Sequence, residues 1–351
     1  MINSAKTPKS FGFRMPAEWE NQEAVWISWP HNEVTWTGIT LEEVENSYIE
    51  FVEALHTGQK VKILVNDENS KEKTIQKLKS KKINFSQIIF YKIKNIDAWI
   101  RDYGPTFVIN HKTKQKAMVK WTFNAWGDKY EELKEDNQIP YEMNKIMKLS
   151  MFEPGIMLEM GSIDVNGSGT LLTTEQCLLN KNRNPNIKKE EIEQCLKDYL
   201  NVSNILWLKE GIAGDDTDGH IDDIARFVNQ NTVVCAVEDN KNDENYKILK
   251  ENYELLLEMK DENGKNLNIV KLPMPGFVGD DERRYPASYC NFYIGNETVC
   301  VPVFRHENDE KALKILQKLF KNRKVAGIDC TAMVYGFGAL HCCSQQEPKV
   351  L

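Results

Sequence analysis

Two hydrophobic periods alternate along this chain, and no other feature restricts its fold as strongly. "AVWISW" (24–29) is a short apolar run of strand length, and "LEEVENSYIEFVEALH" (41–56) repeats apolar residues at three- and four-residue spacing. "KVKILV" (60–65) is a second strand; a Lys-rich helix near 71–80 leads to a third, "SQIIFYKI" (86–93). "PTFVIN" and "KAMVKWTF" make a hairpin around "HKTKQK". Past a long loop at 124–137 the alternation resumes. "EEIEQCLKDYL" precedes "NILWL", "ENYKILKENYELLLEM" precedes "NIVKLP", and "ENDEKALKILQKLF" precedes "KVAGID". This amounts to four or five modules of one helix with flanking strands. Hairpins between them require mixed sheets rather than one parallel sheet. No composition break marks a linker, so the reading is a single domain over 1–351 with a short N-terminal tail, 1–12. Charged insertions near 124–140 and 261–288 read as surface loops that carry function. Periodicity does not distinguish a closed ring of modules from an open sheet.

Composition excludes several classes. A chain of 351 residues with 41% hydrophobic and 28% charged residues has material for a sizeable core and no signature of disorder. A net charge of −7 without a basic stripe makes a poor nucleic-acid partner and suits a cationic ligand. No apolar segment follows the first residues as a secretory signal would, and no run is long enough for a bilayer. A cytoplasmic location, with neither membrane nor nucleic acid as partner, is the expectation. The eight cysteines are scattered through apolar stretches, as reduced core residues are. No CxxC pair or zinc-spaced His/Cys cluster is present, so no metal and no cofactor is expected.

Four segments hold residues fit for chemistry. "YGFGALHCCSQQ" (335–346) sets two glycines before a His and adjacent cysteines, a place where substrate can reach a thiol; in isolation it also reads as an ordinary terminal strand. "GDDTDGHIDDIARF" (214–227) holds His220 and Asp222 two residues apart, on one face if extended. A His beside a carboxylate suits acid/base work. A solvated acidic turn or a calcium loop is the competing reading, although the EF-hand spacing is missing. "DAWIRDYGPTFV" (97–108) offers Trp99 and Asp102 as an aromatic face and a carboxylate for a cation, or merely an Arg101 salt bridge beside a core Trp. "LEMGSIDVNGSGTLLTTEQCLLNKNRNP" (158–185) places Glu159 just before the Met160–Gly161 pair, as ligand contact or helix cap, and "FNAWGDKY" adds Trp126 in a loop.

Together these segments resemble the agmatine deiminase branch of the bacterial-type peptidylarginine deiminase family. "MPAEWENQEAVWISWPHN" (15–32), "AWIRDYGPTF", "FNAWGDKY", "LEMGSIDVNGSGTLLTTEQCLLNKNRNP", "DDTDGHIDDIARF", "PASYCNFYIGN" and "HCCSQQEP" occur in that family's order, from about Met15 to Pro348. The resemblance implies an α/β fold of the α+β type: a five-bladed, pseudo-symmetric propeller (pentein) of ββαβ modules around a central active site. It implies Cys342 as nucleophile, His220 as acid/base, and Asp102 and Asp222 as holders of a guanidinium. Trp99 and Asp216 match positions lining the substrate's tail, with Glu159 and Trp126 as further substrate contacts; Cys343 packs. Relatives also form homo-oligomers such as dimers, which nothing in this sequence sets. Two departures stand out. Met160–Gly161 replaces a common Gly-Gly, which would narrow the pocket near Glu159, and Ala339 replaces a common Asn.

The implied reaction turns agmatine into N-carbamoylputrescine and ammonia through a Cys thiouronium, on the way from arginine to putrescine in polyamine synthesis. Two carboxylates fix a planar guanidinium over the sulfur. They also raise the thiol's pKa, so the substrate's cation or protonated His220 must help ionise it. Asp216 favours a second cation on the tail, hence agmatine, whereas Arg101, Arg226 or Arg283 would serve the carboxylate of arginine. Deimination of arginine or peptidyl-arginine is the same-chemistry alternative, and a non-catalytic cation-binding protein is the alternative from another class.

Overall fold

A computed structural model describes residues 6–350. Gln22–Ser28 (β1) leads through helix Leu41–Leu55 (α1) to Lys60–Val65 (β2), parallel to β1, and through Glu68–Leu78 (α2) to Ile88–Lys92 (β3), parallel to β2. The next four sheets share one plan. Thr106–Asn110 (β4) and Gln115–Val119 (β5) form an antiparallel hairpin, and Ile139–Met147 (α3) returns the chain to Ser150–Phe152 (β6), parallel to β5. Ile163–Val165 (β7), Thr170–Thr174 (β8), Lys189–Leu200 (α4) and Asn204–Leu208 (β9) repeat it. So do Ala225–Asn229 (β10), Thr232–Val237 (β11), Asn245–Glu258 (α5) and Asn268–Pro273 (β12). Tyr293–Ile294 (β13), Thr298–Val303 (β14), Asp309–Leu319 (α6) and Lys324–Asp329 (β15) make the last copy. Ser344–Pro348 (β16) then crosses back to pair antiparallel with β1. The first sheet therefore takes its hairpin partner from the far end of the chain. The result is a propeller of five ββαβ sheets, each with its own strand-pairing ladder.

Local chemistry explains the repeats. The middle strands are β-branched and buried along nearly their whole length, as "TVVCAV" in β11 and "TVCVPV" in β14 show, which fits strands covered on both faces. Asparagines start three of the hairpin turns. Asn110, Asn166 and Asn229 each accept backbone N–H groups two to four residues on, the Asx-turn geometry that closes a hairpin. A reciprocal capping box of Thr40 and Glu43 opens α1, and Asp67 caps α2.

The loop expected at 124–137 is in fact structured, with a tight turn at 125–128 and a 3-10 helix, Glu131–Gln138, running into α3. Its short, charged sequence hides the period. Of the expected tail, 1–5 lies outside the described residues. Thr7 and Pro8 are buried, and the turn Lys9–Phe11 lies against α4. No helix among the described residues is long and apolar enough to cross a membrane.

The plan matters because of what precedes each inner strand. Just before β4, β7 and β10 the chain makes a one-turn helix, Ile100–Tyr103, or a 3-10 turn, Met160–Ser162 or Ile221–Asp223. Before β13 and β16 it makes hydrogen-bonded turns at 289–290 and 340–343. The turns before β4, β7 and β10 pack on one another in succession, and β4 lies beside β16.

Candidate active site

Each of the five strand-initiating turns delivers polar chemistry to the centre. The first supplies Asp102, the second Glu159 and Gly161, the third His220 and Asp222, the fourth Asn291 and the fifth Cys342. All but Cys342 (7% exposed) are almost wholly enclosed. Their meeting point is marked by Gly161. A Cβ there would stand 2.5 Å from His220 Nδ1, 3.0 Å from Asp102 Oδ1 and 3.1 Å from Asp222 Oδ2. Only glycine lets these three side chains converge, so the second half of the Met160–Gly161 pair is the indispensable one.

His220 and Asp222 were expected to share a face of a strand. They converge for another reason. His220 caps the turn Ile221–Asp223, and the turn, rather than a pleat, directs both inward. The acidic loop before them is not a calcium site in waiting. Asp215 accepts the N–H groups of Thr217, Gly219 and His220, and Asp218 is bound by Arg183, Asn182 and Lys129. These aspartates are already occupied in shaping the loop.

Cys342 Sγ lies 3.9 Å from Asp222 Oδ2 and accepts from Asn291 Nδ2 at 3.0 Å. Burial pushes its thiol well above the usual range, and Asp222, Asp223 and Asp102 push it further. Burial likewise raises Asp102 to about 6, with Asp222 and Glu159 adding to the rise and His220 and the Trp126 N–H opposing it. Burial works against a protonated His220, but Asp102, Cys177 and Glu159 outweigh it and hold the ring well above its ordinary pKa. Its Nδ1 is 3.9 Å from Asp102 Oδ1 and its Nε2 is 3.9 Å from Glu159 Oε2. Asp222 is held ionised despite its burial, because His341 Nδ1 donates to it at 2.6 Å. His341 Nε2 reaches Glu18 at 2.8 Å, and Arg226 and Arg101 flank that same carboxylate.

The structure moves some expected contacts. Glu159 does not line the cavity. Arg183 Nε takes its Oε1 at 2.7 Å, and its other oxygen backs His220 beside Cys177. A carboxylate, a thiol and an imidazole thus cluster within 4.8 Å. With Arg183 already neutralising Glu159, the group serves as the rear support of His220. Met160 does not narrow the pocket, because its side chain is buried in the core against Thr106. Arg101 and Arg226 are sealed on Glu18 and cannot meet a substrate. Gly336 and Gly338 make room for tryptophan rings: a Cβ at 336 would lie 2.6 Å from Trp36 Nε1 and 2.8 Å from the Trp99 ring, and one at 338 would lie 2.7 Å from the Trp99 ring. Ala339 is buried in the core, and nothing in the structure gives the missing Asn a consequence.

Cys342 and Asp102 close the inner end of a cavity of about 470 Å³ walled by Trp99 and Trp126. Towards the mouth stand Tyr130, Asp216, Asp280, Glu282, Arg283 and the tilted ring pair of Tyr285 and Tyr335, with centroids 4.4 Å apart. Asp216 accepts the Tyr130 hydroxyl and lies 3.5 Å from Lys129 Nζ. Trp126 comes from a strained turn. Ala125, Trp126, Gly127 and Asp128 all have positive φ, between 53° and 88°, at roughly 1–2 kcal/mol for each non-glycine residue. Asn124 braces it, accepting Gly127 N–H at 3.0 Å and donating to Asn182 O at 2.9 Å.

Sequence reasoning did not single out Glu18, Asn291, Arg183 or the bridging role of His341. Glu18, Asn291 and Arg183 sit inside quoted motifs, but their partners are far away in the chain. Glu18 and His341 are 323 residues apart.

Five ββαβ sheets around a central polar pocket define the pentein class of guanidine-modifying folds. Two remote likenesses bear on the fold alone: an amidinotransferase from Microseira wollei (11% identity, TM-score 0.53) and DDAH from Pseudomonas aeruginosa (12%, 0.50). The chain belongs to the Porphyromonas-type peptidyl-arginine deiminase family, whose model matches residues 14–348. It is 38% identical to a Legionella pneumophila protein named as a candidate agmatine deiminase, across 99% of this chain and 98% of that one. It is similar to the solved agmatine deiminase of Enterococcus faecalis (36% identity, TM-score 0.91, 99% and 98% of the two chains). It is also similar to a C. jejuni agmatine deiminase, solved with substrate bound as a cysteine-to-serine variant (34%, 0.86, 97% of both).

Proposed function

We propose that the chain is an agmatine deiminase, a hydrolase that converts agmatine and water to N-carbamoylputrescine and ammonia and so contributes to putrescine synthesis. The carrying observation is that Cys342 and Asp102 close a cavity with Asp216 towards its mouth, while His220 and Asp222 converge on Asp102 about Gly161 just behind that lining. Full-length similarity to agmatine deiminases supports the same reading. We take the chain as one catalytic domain, because the strand after Cys342 completes the sheet begun by β1.

The guanidinium enters with its edges on Asp102 and Asp222 and its plane over Cys342. Before substrate enters, the carboxylates hold the thiol neutral. An arriving cation cancels that field, the thiol's proton leaves to water, and the thiolate attacks the guanidinium carbon. His220, already protonated, gives its proton to the departing amine, and ammonia leaves. The S-alkylthiouronium remains. Neutral His220, oriented by Glu159, takes a proton from water as the oxygen attacks the carbon. The C–S bond breaks, the new hydroxyl gives its proton to solvent, and the neutral urea product and the thiolate separate.

Agmatine's second cation finds Asp216 and aromatic walls. Arg283, over the Phe337 ring at 5.7 Å, is the one observation favouring an α-carboxylate and hence arginine. Ammonia release from agmatine, arginine and a peptidyl-arginine, compared at equal concentration, decides. Agmatine should lead by at least about tenfold in kcat/KM. Preference for arginine would overturn the tail assignment, and release from none would overturn the enzyme.

A further inference from the structure

Asp102 has a donor on each oxygen. Gly161 N–H donates to Oδ1 at 3.0 Å, and the Trp126 indole N–H donates to Oδ2 at 2.9 Å. The second donor arrives on the turn with four consecutive positive φ values, Ala125 to Asp128. The turn is locked from outside. A Cβ on Gly127 would meet Asn182 Nδ2 at 2.3 Å and Arg183 Nη1 at 2.6 Å, and the Phe123 ring stands edge-on to the indole at 5.2 Å. A tryptophan serving only as an apolar wall has no need of a left-handed turn that aims its N–H into a buried carboxylate. Backbone strain of this kind persists where surrounding structure enforces it for function.

We propose that the left-handed turn exists to hold the Trp126 N–H on Asp102, making Trp126 a positioning residue for the carboxylate that receives the guanidinium. This deepens the active-site reading above and rests on it. Once each oxygen has spent one lone pair on a fixed donor, the carboxylate plane is set and its free lone pairs face the cavity. The donor also favours the ionised form, against strong opposition. Asp222, Glu159 and the Cys342 sulfur face Asp102, and only His220 offers a charge of the right sign. Tyr130, on the same stretch of chain, holds Asp216, so head and tail carboxylates are both positioned from this segment.

The test is kcat/KM against pH for wild type and Trp126→Phe, with agmatine and arginine. Asp102 must be ionised to bind the cation, so activity falls as pH drops through its pKa. Losing the N–H raises that pKa and moves the acid limb up. We expect a shift of about 0.5–1 pH unit and a loss of roughly two- to fivefold at pH 6 that narrows above pH 8. The agmatine-to-arginine ratio should not change. Gly127→Ala, which cannot keep the turn, should move the limb in the same direction, with thermal melts confirming that both variants fold. A phenylalanine profile that scales uniformly onto wild type, or a changed substrate ratio with an unmoved limb, overturns the inference and leaves Trp126 as a wall. If Asp102→Asn keeps full turnover, the active-site reading itself fails; if it is inactive while Trp126→Phe leaves the limb in place, only the positioning role fails.

Discussion

The inner end and the mouth of the cavity are built in opposite ways. The inner end is assembled from five turns, each fixed by the strand it starts, and its side chains hold enforced partners: Asp222 on His341, Asp102 on Gly161 and Trp126, Cys342 on Asn291. The mouth is made of loops with partly open side chains, such as Asp216, Asp280 and Arg283. The difference teaches where reaction and selectivity are set. Chemistry on a cationic carbon needs charges placed to a fraction of an ångström in a dry site. Choice of tail needs only a charge of the right sign in a solvent-accessible place, where pairs are weaker and adjustable.

The largest effects should come from the inner end. Cys342→Ala removes the covalent route, and kcat should fall by about 10⁴-fold or more, measured as ammonia release. Retained turnover would remove the basis for the whole site. Asp222→Asn keeps the shape but removes a charge that both His341 and the substrate use, and kcat/KM should fall by about 10²–10³. The acid limb of the wild-type kcat/KM profile should lie near pH 6, because Asp102 titrates at about 6 and only its ionised form receives a cation. The sign is fixed: raised by burial, this group loses its charge as pH falls through that value. A flat profile from about pH 5 to 7 would contradict it.

At the mouth the effects shrink. Asp216→Asn should raise KM for agmatine roughly 3- to 10-fold with kcat almost unchanged, since its side chain is about one-third exposed and already shares Tyr130 and Lys129. A fall in kcat instead would place Asp216 in the chemistry and blur the division between the two ends.

The same division decided what could be read in the sequence. Modules announced themselves because helix and strand periods survive in any context: α1 was expected at 41–56 and runs 41–55, and β2, β9, β12 and β15 fall where the apolar runs put them. Cys342, His220, Asp102 and Asp222 were nameable through their motifs, and the structure brings them to one point. Their supports were not. Glu159 reads as a substrate ligand until Arg183 and His220 are seen on either side of it. Met160 reads as a pocket residue until its side chain is found in the core. Trp126 reads as a loop aromatic, because nothing in "NAWGD" foretells four left-handed residues in a row. Which way a side chain points from an irregular turn depends on residues hundreds of positions distant, and local periodicity carries no record of them.

The smallest effect on catalysis is expected one residue further along the chain. Cys342 and Cys343 are neighbours, yet the turn that aims one sulfur at Asp222 sends the other into the core, where it lies 3.4 Å from Leu340 O and is wholly buried. Burial pushes the Cys343 thiol up to about 12, and outside the cavity lining it meets no substrate cation to bring that value down. Cys343→Ala should therefore leave kcat within about twofold. It removes one buried sulfur from a packed core, so it should cost about 1–2 kcal/mol of stability, seen as a thermal midpoint lowered by a few degrees. The outcome that breaks the contrast is the reverse pattern. An inactive but fully stable Cys343→Ala enzyme would mean that the turn before β16 presents its second cysteine, not its first, to the guanidinium.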